Sequence, residues 1–136
     1  MEKQVICLDT SVLIDYFRKV NKSKSFFYEL TKEYDLFAVS AITEYEVYCG
    51  SNVDQDLYWD NFFDKIISLP YNSKANRIAT KIERELKKKN RTIDKPDIMI
   101  AGTAIANNLK LATLNVKHFE RIEQLELIQI KQRFTK

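Results

Sequence analysis

The chain has 136 residues, of which 45% are hydrophobic and 30% are charged, and its formal net charge is +3. This length supports one domain with its own core, so we expect a single domain over residues 1–136. Two glycines and two prolines exclude collagen-like and low-complexity chains, no apolar run is long enough to span a membrane, and the charge permits phosphate contacts without indicating a dedicated DNA binder.

Short apolar runs alternate along the chain with segments of helical periodicity. Val5–Leu8 is a continuous apolar run, which is typical of a strand buried on both faces of a parallel sheet. The alternation predicts βαβ units around a central, mostly parallel sheet of about four to five strands. Further strands are predicted at 36–40, 67–69, 109–114 and 127–130, and helices at about 11–17, 25–32, 42–49, 57–66, 73–89, 97–107 and 116–122.

Local features refine two of these helices. Gly50 is predicted to end the third helix in a left-handed conformation. Pro96 is predicted to stand in the first turn of the sixth. Ile42, Tyr45 and Cys49 follow a helical spacing and predict the buried stripe of the third helix.

The cysteines and the single histidine do not indicate a zinc site, and the cysteines indicate the cellular compartment. Cys7, Cys49 and His118 do not have the spacing of zinc ligands. Cys7 lies in an apolar run and Cys49 in a predicted helix, so we expect two buried thiols in a reducing compartment. The N-terminal residues lack the apolar core of a signal peptide, and the sequence therefore predicts a cytoplasmic protein.

Acidic side chains stand at the ends of several predicted elements. Asp9 follows the first strand, Glu46 lies beside the apolar stripe of the third helix, and Asp97 lies in the first turn of an almost wholly apolar helix. Asn115 follows the strand at 109–114, and ligands of parallel sheets bind beyond the carboxyl ends of the strands, so we expect Asp9 and Asn115 to share a crevice. Buried acids are costly unless a cation binds them, and an oxygen-only ligand set suits Mg²⁺ or Mn²⁺. Such ions can activate water against a phosphodiester.

Each of these residues has a plainer interpretation when it is taken alone. A helix-capping role explains Asp9 about as well as a role in a site does. Glu46 is better explained as a surface carboxylate, Asp97 as a first-turn acid favoured by the helix dipole, and Asn115 as a turn residue. Only the combination favours a site.

The combination resembles the four motifs of PIN-domain proteins, in order and over nearly the whole chain. In the second motif the acid follows the threonine by three residues, which selects Glu46 and not Glu44. The similarity is closest to the short, single-domain VapC-type toxins. The four segments are LDTSVLID at 8–15, SAITEYEV at 40–47 closed by Gly50, DIMIAGTA at 97–104, and LATLNVKHF at 111–119 continued by Ile122 and Leu125.

This resemblance implies a fold, an activity and partners. The fold would be a PIN-like three-layer α/β/α sandwich, and the activity that of an endoribonuclease dependent on Mg²⁺ or Mn²⁺. The protein would form a homodimer and be silenced by a cognate antitoxin. Asp9, Glu46 and Asp97 would bind the metal. Thr10, Ser11 and Thr113 would hydrogen-bond these ligands or the scissile phosphate.

The fourth motif departs from the family pattern. Many relatives have a further acid at the position of Asn115 or near that of His118, and neither residue is acidic here. Asn115 could still offer its carbonyl oxygen or hold a metal-bound water. The choice between one metal ion and two stays open.

Three other functions fit parts of the same pattern. A phosphatase of the haloacid-dehalogenase class also begins with an aspartate at a strand end, but it needs a second aspartate where Ser11 stands. A non-catalytic PIN-like module that binds RNA or protein would explain the loss of the fourth acid. A DNA nuclease of the same fold remains a candidate because the ligand set does not distinguish RNA from DNA.

The sequence leaves open the roles of two further features. The basic segment 81–91 is better explained as a solvated helix end than as an RNA contact, although Lys87, Lys88, Lys89 and Arg91 could reach phosphates. The aromatic residues between 58 and 63 are expected in the core, with a groove for the antitoxin as the alternative.

Overall fold

Four short strands form one parallel sheet within residues 4–128, the range that the computed structural model describes. The strand order is β3-β2-β1-β4, and every neighbouring pair is parallel. The strands are β1 (Val5–Leu8), β2 (Leu36–Ser40), β3 (Ile67–Leu69) and β4 (Leu111–Ala112). The helices are α1 (Thr10–Arg18), α2 (Phe26–Thr31), α3 (Ala41–Gly50), α4 (Asp56–Phe63), α5 (Ser73–Lys88), α6 (Lys95–Ala106) and α7 (Val116–Phe119).

The first strand joins the two halves of the core. Side chains alternate between the faces of a strand, so Ile6 and Leu8 share one face and Cys7 lies on the other. Ile6 and Leu8 pack with residues of α1, α2 and α4, while Cys7 packs with residues of α5, α6 and α7. Helices therefore cover both faces of the sheet, and the predicted three-layer α/β/α sandwich is confirmed.

Gly102 brings α5 and α6 into close contact. A Cβ atom at this position would lie 2.8 Å from the carbonyl oxygen of Ala75 and 3.0 Å from Cβ of Ala79. A side chain there would force the two helices apart. The absence of one seats α6, which carries Asp97, firmly against α5.

Most predicted elements are present, and three expectations about α3 are wrong. Gly50 does not adopt a left-handed conformation, because the N–H of Ser51 closes the helix on the carbonyl of Tyr48 with extended backbone. Cys49 is exposed rather than buried. Tyr45 is exposed as well, and the face of α3 that meets the core is that of Thr43 and Val47.

Strand β4 is shorter than predicted. β4 pairs with β1 through only two residues, and Leu114 beyond it is exposed. Leu127 forms a single parallel bridge with Leu111. The rest of the predicted strand at 127–130 lies mostly outside the described residues, since these end at 128.

An aromatic cluster fills the space under α1 and α4. Trp59 is fully buried and packs against Phe17, Phe62 and Phe63. Tyr58 lies at the edge of this cluster and remains partly exposed. Core packing, the favoured interpretation of these residues, is thus confirmed for Trp59. None of the helices in residues 4–128 combines the length and the apolar character that crossing a bilayer requires.

Candidate active site

A pocket of about 700 Å³ opens at the carboxyl ends of β1 and β4. It contains acids from three different stretches of the chain, which the parallel topology and the packing of α6 bring together. Its lining residues are Asp9, Thr10, Ser11, Ile14, Asp15, Arg18, Lys19, Glu46, Asp94, Asp97, Leu114, Asn115 and His118.

Asp9 is a buried carboxylate fixed by hydrogen bonds. It is 1% exposed. Its Oδ2 accepts from the Ser11 hydroxyl at 2.7 Å, the Thr113 hydroxyl at 2.8 Å and the Ser11 backbone N–H at 3.3 Å. The last of these bonds also caps α1, so the helix-cap interpretation of Asp9 is correct as far as it goes. Within residues 4–128, no side chain donates to Oδ1 of Asp9, and no Lys, Arg or His forms an ion pair with it.

The backbone after β4 orients the two hydroxyls that bind Asp9. The N–H of Leu114 donates to Oγ of Ser11 at 3.0 Å, and the N–H of Asn115 donates to Oγ1 of Thr113 at 2.9 Å. A hydroxyl that accepts an N–H directs its own hydrogen elsewhere, here to the carboxylate of Asp9. The residues that join β4 to α7 thereby hold an acid more than a hundred positions earlier in the chain.

Glu46 reaches the same pocket from α3. Its Oε1 accepts a hydrogen bond of 2.7 Å from the hydroxyl of Thr10, the first residue of α1. Thr10 also contacts the hydroxyl of Thr43 at 3.1 Å, and Thr43 is buried. Thr10 and Ser11 are neighbours, yet each serves a different acid, because Ser11 bonds Asp9 and Thr10 bonds Glu46.

Asp97 is the acid whose protonation the pocket perturbs. The pKa of its carboxyl is raised from 3.8 to about 6, chiefly by burial and then by the negative charges of Asp9, Glu46 and Asp94. The positive form of His118 opposes the rise, with its Nδ1 3.6 Å from Oδ2 of Asp97. Three acids that repel Asp97 outweigh one cation, which is the electrostatic condition that favours binding of a metal ion.

The remaining sequence-predicted residues lie at the pocket's edge. Asn115 is exposed, lines the pocket and precedes α7. Asp15 also lines it, but its carboxylate pairs with Lys19 at 3.3 Å and accepts from the N–H of Phe26 at 3.0 Å. Asp15 therefore has its charge balanced locally, unlike Asp9.

The donor chemistry of the pocket fits a hard divalent cation. Its acids are oxygen ligands, and Asp9 is buried without a cation from the described residues to balance it. As the side chains stand, no three His, Cys, Asp or Glu residues between 4 and 128 lie close enough together to hold one ion directly. Binding by Asp9, Glu46 and Asp97 together would therefore require bridging waters, which Mg²⁺ commonly retains, or movement of side chains.

Sequence reasoning missed several pocket residues, among them Asp94 and Arg18. Asp94 lines the pocket and raises the pKa of Asp97. It stands at the N-cap position of α6, three residues before Asp97, and the signal was the aspartate before Lys95-Pro96. Arg18 lines the pocket at the end of α1, and its place there depends on tertiary packing.

Comparison with known proteins places this architecture. The PIN domain family matches residues 6–125. The chain belongs to the PIN-domain family. Ribonuclease VapC1 of Methanocaldococcus jannaschii is 39% identical over 127 residues, which cover 93% of this chain and 87% of that protein. Ribonuclease VapC19 of Mycobacterium tuberculosis is 26% identical over 119 residues, or 88% of this chain and 95% of that protein.

Solved structures agree with the sequence relatives. VapBC-1 of nontypeable Haemophilus influenzae superposes with a TM-score of 0.79 at 26% identity, covering 93% of this chain and 98% of that chain. VapBC2 of Rickettsia felis, crystallised with a DNA fragment from its promoter, gives 0.77 at 27% identity, covering 92% and 98%. The PIN-domain assignment sets aside the haloacid-dehalogenase interpretation of Asp9.

Proposed function

We propose that this PIN domain is a metal-dependent endoribonuclease and the toxin of a toxin–antitoxin pair. The observation that carries the proposal is the meeting of Asp9, Glu46 and Asp97 in one pocket, where two of the acids raise the pKa of the third. The ribonuclease names of the relatives support hydrolysis of RNA phosphodiester bonds.

The chain's own residues would bind and orient the reactants. Asp9, Glu46 and Asp97 would hold Mg²⁺ or Mn²⁺, and Ser11, Thr10 and Thr113 would keep the first two acids in place. A metal held there supplies an activated water and neutralises charge on the phosphate. Asn115, at the pocket's edge, has an amide that can donate to a phosphate oxygen or accept from a water.

The partners follow from the structural relatives. Several of these are complexes of a VapC-like chain with its antitoxin. We propose that a cognate antitoxin covers this chain through an apolar helix, for which the exposed side chains of Leu57 and Tyr58 on α4 offer a surface. We further propose a homodimer that acts in the cytoplasm.

A second candidate is a non-catalytic module that binds RNA or protein. One observation favours it, because no three ligands converge directly on one ion site among residues 4–128. The family resemblance also leads us to expect an acid at Asn115 or near His118, and neither residue is acidic. Retention of all three acids in one pocket favours the nuclease.

Cleavage of total RNA by the purified protein separates these candidates. We expect cleavage with Mg²⁺ or Mn²⁺, none with EDTA, and none from Asp9→Asn or Asp97→Asn. Asp64→Asn is the matched control, because Asp64 is an exposed aspartate outside the pocket. Folded wild-type protein that cuts no RNA and shows no metal binding by calorimetry would favour the binding module. Preference for single-stranded DNA over RNA of the same sequence would favour the DNA nuclease.

The pairing with an antitoxin has its own test. We expect expression of the chain alone to arrest growth and co-expression of the adjacent reading frame to relieve the arrest. Growth that is indifferent to that frame would contradict the toxin role and leave the nuclease role untouched.

A further inference from the structure

Positive charge is concentrated in one stretch of the chain. Residues 73–96 contain nine Lys and Arg against three Asp and Glu, a net charge of +6, whereas the whole chain carries +3. The other 112 residues therefore carry a net −3. This stretch comprises α5 and the start of α6, and it has no part in the acidic pocket except through Asp94.

A groove of about 320 Å³ lies between α5 and α6 in this basic stretch. Arg84, Lys87 and Lys95 line it against a single acid, Glu83. The aromatic ring of Tyr71 and the side chain of Met99 form apolar parts of its wall. Cations interleaved with an aromatic ring are the features by which proteins hold single-stranded nucleic acid.

Glu83 fixes two of the cations at the groove. The ammonium groups of Lys87 and Lys95 both contact its Oε2. The Glu83 side chain is 19% exposed, while those of Lys87 and Lys95 are 64% and 68% exposed. An ammonium group has three donors, so each lysine keeps donors for a phosphate after bonding Glu83.

The groove and the acidic pocket lie on neighbouring sides of one helical turn. Asp94 and Asp97 line the pocket, whereas Lys95, Ile98 and Met99 line the groove. Successive residues of a helix are rotated by about 100°, so the two sets project from adjacent sides of the start of α6. A nucleic-acid strand that leaves the pocket over this turn would enter the groove.

We propose that the groove between α5 and α6 binds the single-stranded RNA next to the phosphate that is cut. Arg84, Lys87 and Lys95 contact its phosphates, and Tyr71 offers a surface for a base. RNA as the ligand rests on the proposed nuclease function. The contacts read the backbone and not the sequence, because Lys and Arg side chains on phosphates carry no base information.

The test compares two pairs of substitutions on one helix. Arg84→Gln with Lys87→Gln removes two charges at the groove. Lys74→Gln with Arg77→Gln removes two charges at the same spacing, ten residues earlier on α5 and outside the groove. All four side chains belong to exposed residues, so both variants should fold, which circular dichroism checks.

Binding is measured without cleavage, by fluorescence anisotropy in EDTA with a labelled single-stranded RNA of about 15 nucleotides. We expect the groove pair to raise Kd about 25-fold at 0.1 M salt and to reduce the slope of log K against log salt by about 1.4, because two phosphate contacts are lost. The control pair should change Kd by no more than about twofold and leave the slope nearly unchanged.

Other outcomes separate this inference from the proposed function. If the wild-type protein cuts RNA but the two double variants bind RNA equally well, the groove proposal is overturned and the nuclease stands. If the protein cuts nothing and the groove pair alone loses RNA, the groove proposal stands and the nuclease fails. If the groove pair changes the mass by light scattering but leaves RNA binding intact, the groove is a protein interface and the proposal is overturned.

Discussion

The two sides of the pocket differ in how their acids are hydrogen-bonded. On the sheet side, Asp9 is buried and its Oδ2 accepts three hydrogen bonds from Ser11 and Thr113. On the helix side, no side chain or N–H in residues 4–128 donates to Asp97 within hydrogen-bond distance, and burial together with the neighbouring acids raises its pKa to about 6. Hydrogen bonds thus hold Asp9 whether or not a cation is present, whereas Asp97 depends on one to offset repulsion.

Removing Asp9 from the metal-free protein should lower its stability, whereas removing Asp97 should not. We expect Asp9→Ala to lower the free energy of unfolding by about 2–3 kcal/mol, because it leaves two hydroxyls unpaired and removes the cap of α1. Asp97→Ala should leave this free energy unchanged or raise it. Urea unfolding at pH 7 in EDTA measures both, with Asp9→Asn expected between Asp9→Ala and wild type. Equal losses from the two alanine variants would break the comparison.

The hydroxyl on the sheet side should matter to metal binding although it touches no metal. Thr113→Val removes the bond that orients Asp9, and we expect Mn²⁺ affinity, measured by calorimetry, to fall about 10- to 100-fold. Thr103→Val is the matched control, because Thr103 is also buried and, within residues 4–128, its hydroxyl donates only to the carbonyl of Met99 in its own helix. If both variants lose affinity alike, general core damage is the cause and Thr113 has no special role.

On the helix side, the raised pKa of Asp97 should make the stability of the protein depend on pH. The raised pKa of Asp97 means that its contribution to stability is fully present below pH 3.8 and is lost as the pH rises through about 6. Relative to wild type, Asp97→Asn should therefore gain about 1 kcal/mol between pH 4 and pH 7 in metal-free buffer, after discounting for water that screens the pocket. Urea unfolding of both proteins across this range measures the difference. A difference that shrinks as the pH rises would contradict the assignment.

The two sides also differ in how far sequence could predict them. Val5–Leu8 reads as a buried strand that stops at Asp9, and the structure has the same bounds. The bond from Thr113 to Asp9 joins residues 104 positions apart and depends on the register of β4 against β1, which no local pattern specifies. β4 ends earlier than the apolar run predicts, because Thr113 is bound to Asp9 and Leu114 is exposed.

On the helix side, the type of element was predictable and its surroundings were not. Pro96 and the apolar run after it indicate a helix with Asp97 in its first turn, and α6 has both. The repulsion by Asp94 depends on the N-cap position, and the contact with His118 depends on where α7 packs. The predicted stripe of α3 holds at Ile42, which packs against the core, and is wrong at Tyr45 and Cys49. Helical spacing alone fits these two residues as well as Thr43 and Val47, and only the neighbouring elements decide which face is buried.

The smallest expected effect concerns His118, whose positive form lowers the pKa of Asp97. We expect His118→Gln to raise the pKa of Asp97 by about 0.3, a small shift because the imidazole is exposed, charged only when protonated, and screened by salt. Titration of the Asp97 carboxyl carbon by NMR measures the shift, which should shrink in 0.5 M salt. Lys117→Gln removes a neighbouring charge of α7 that does not line the acidic pocket, and it should shift the pKa less. If Lys117→Gln shifts it as much as His118→Gln, the relief comes from the net charge of α7 and not from the contact at 3.6 Å.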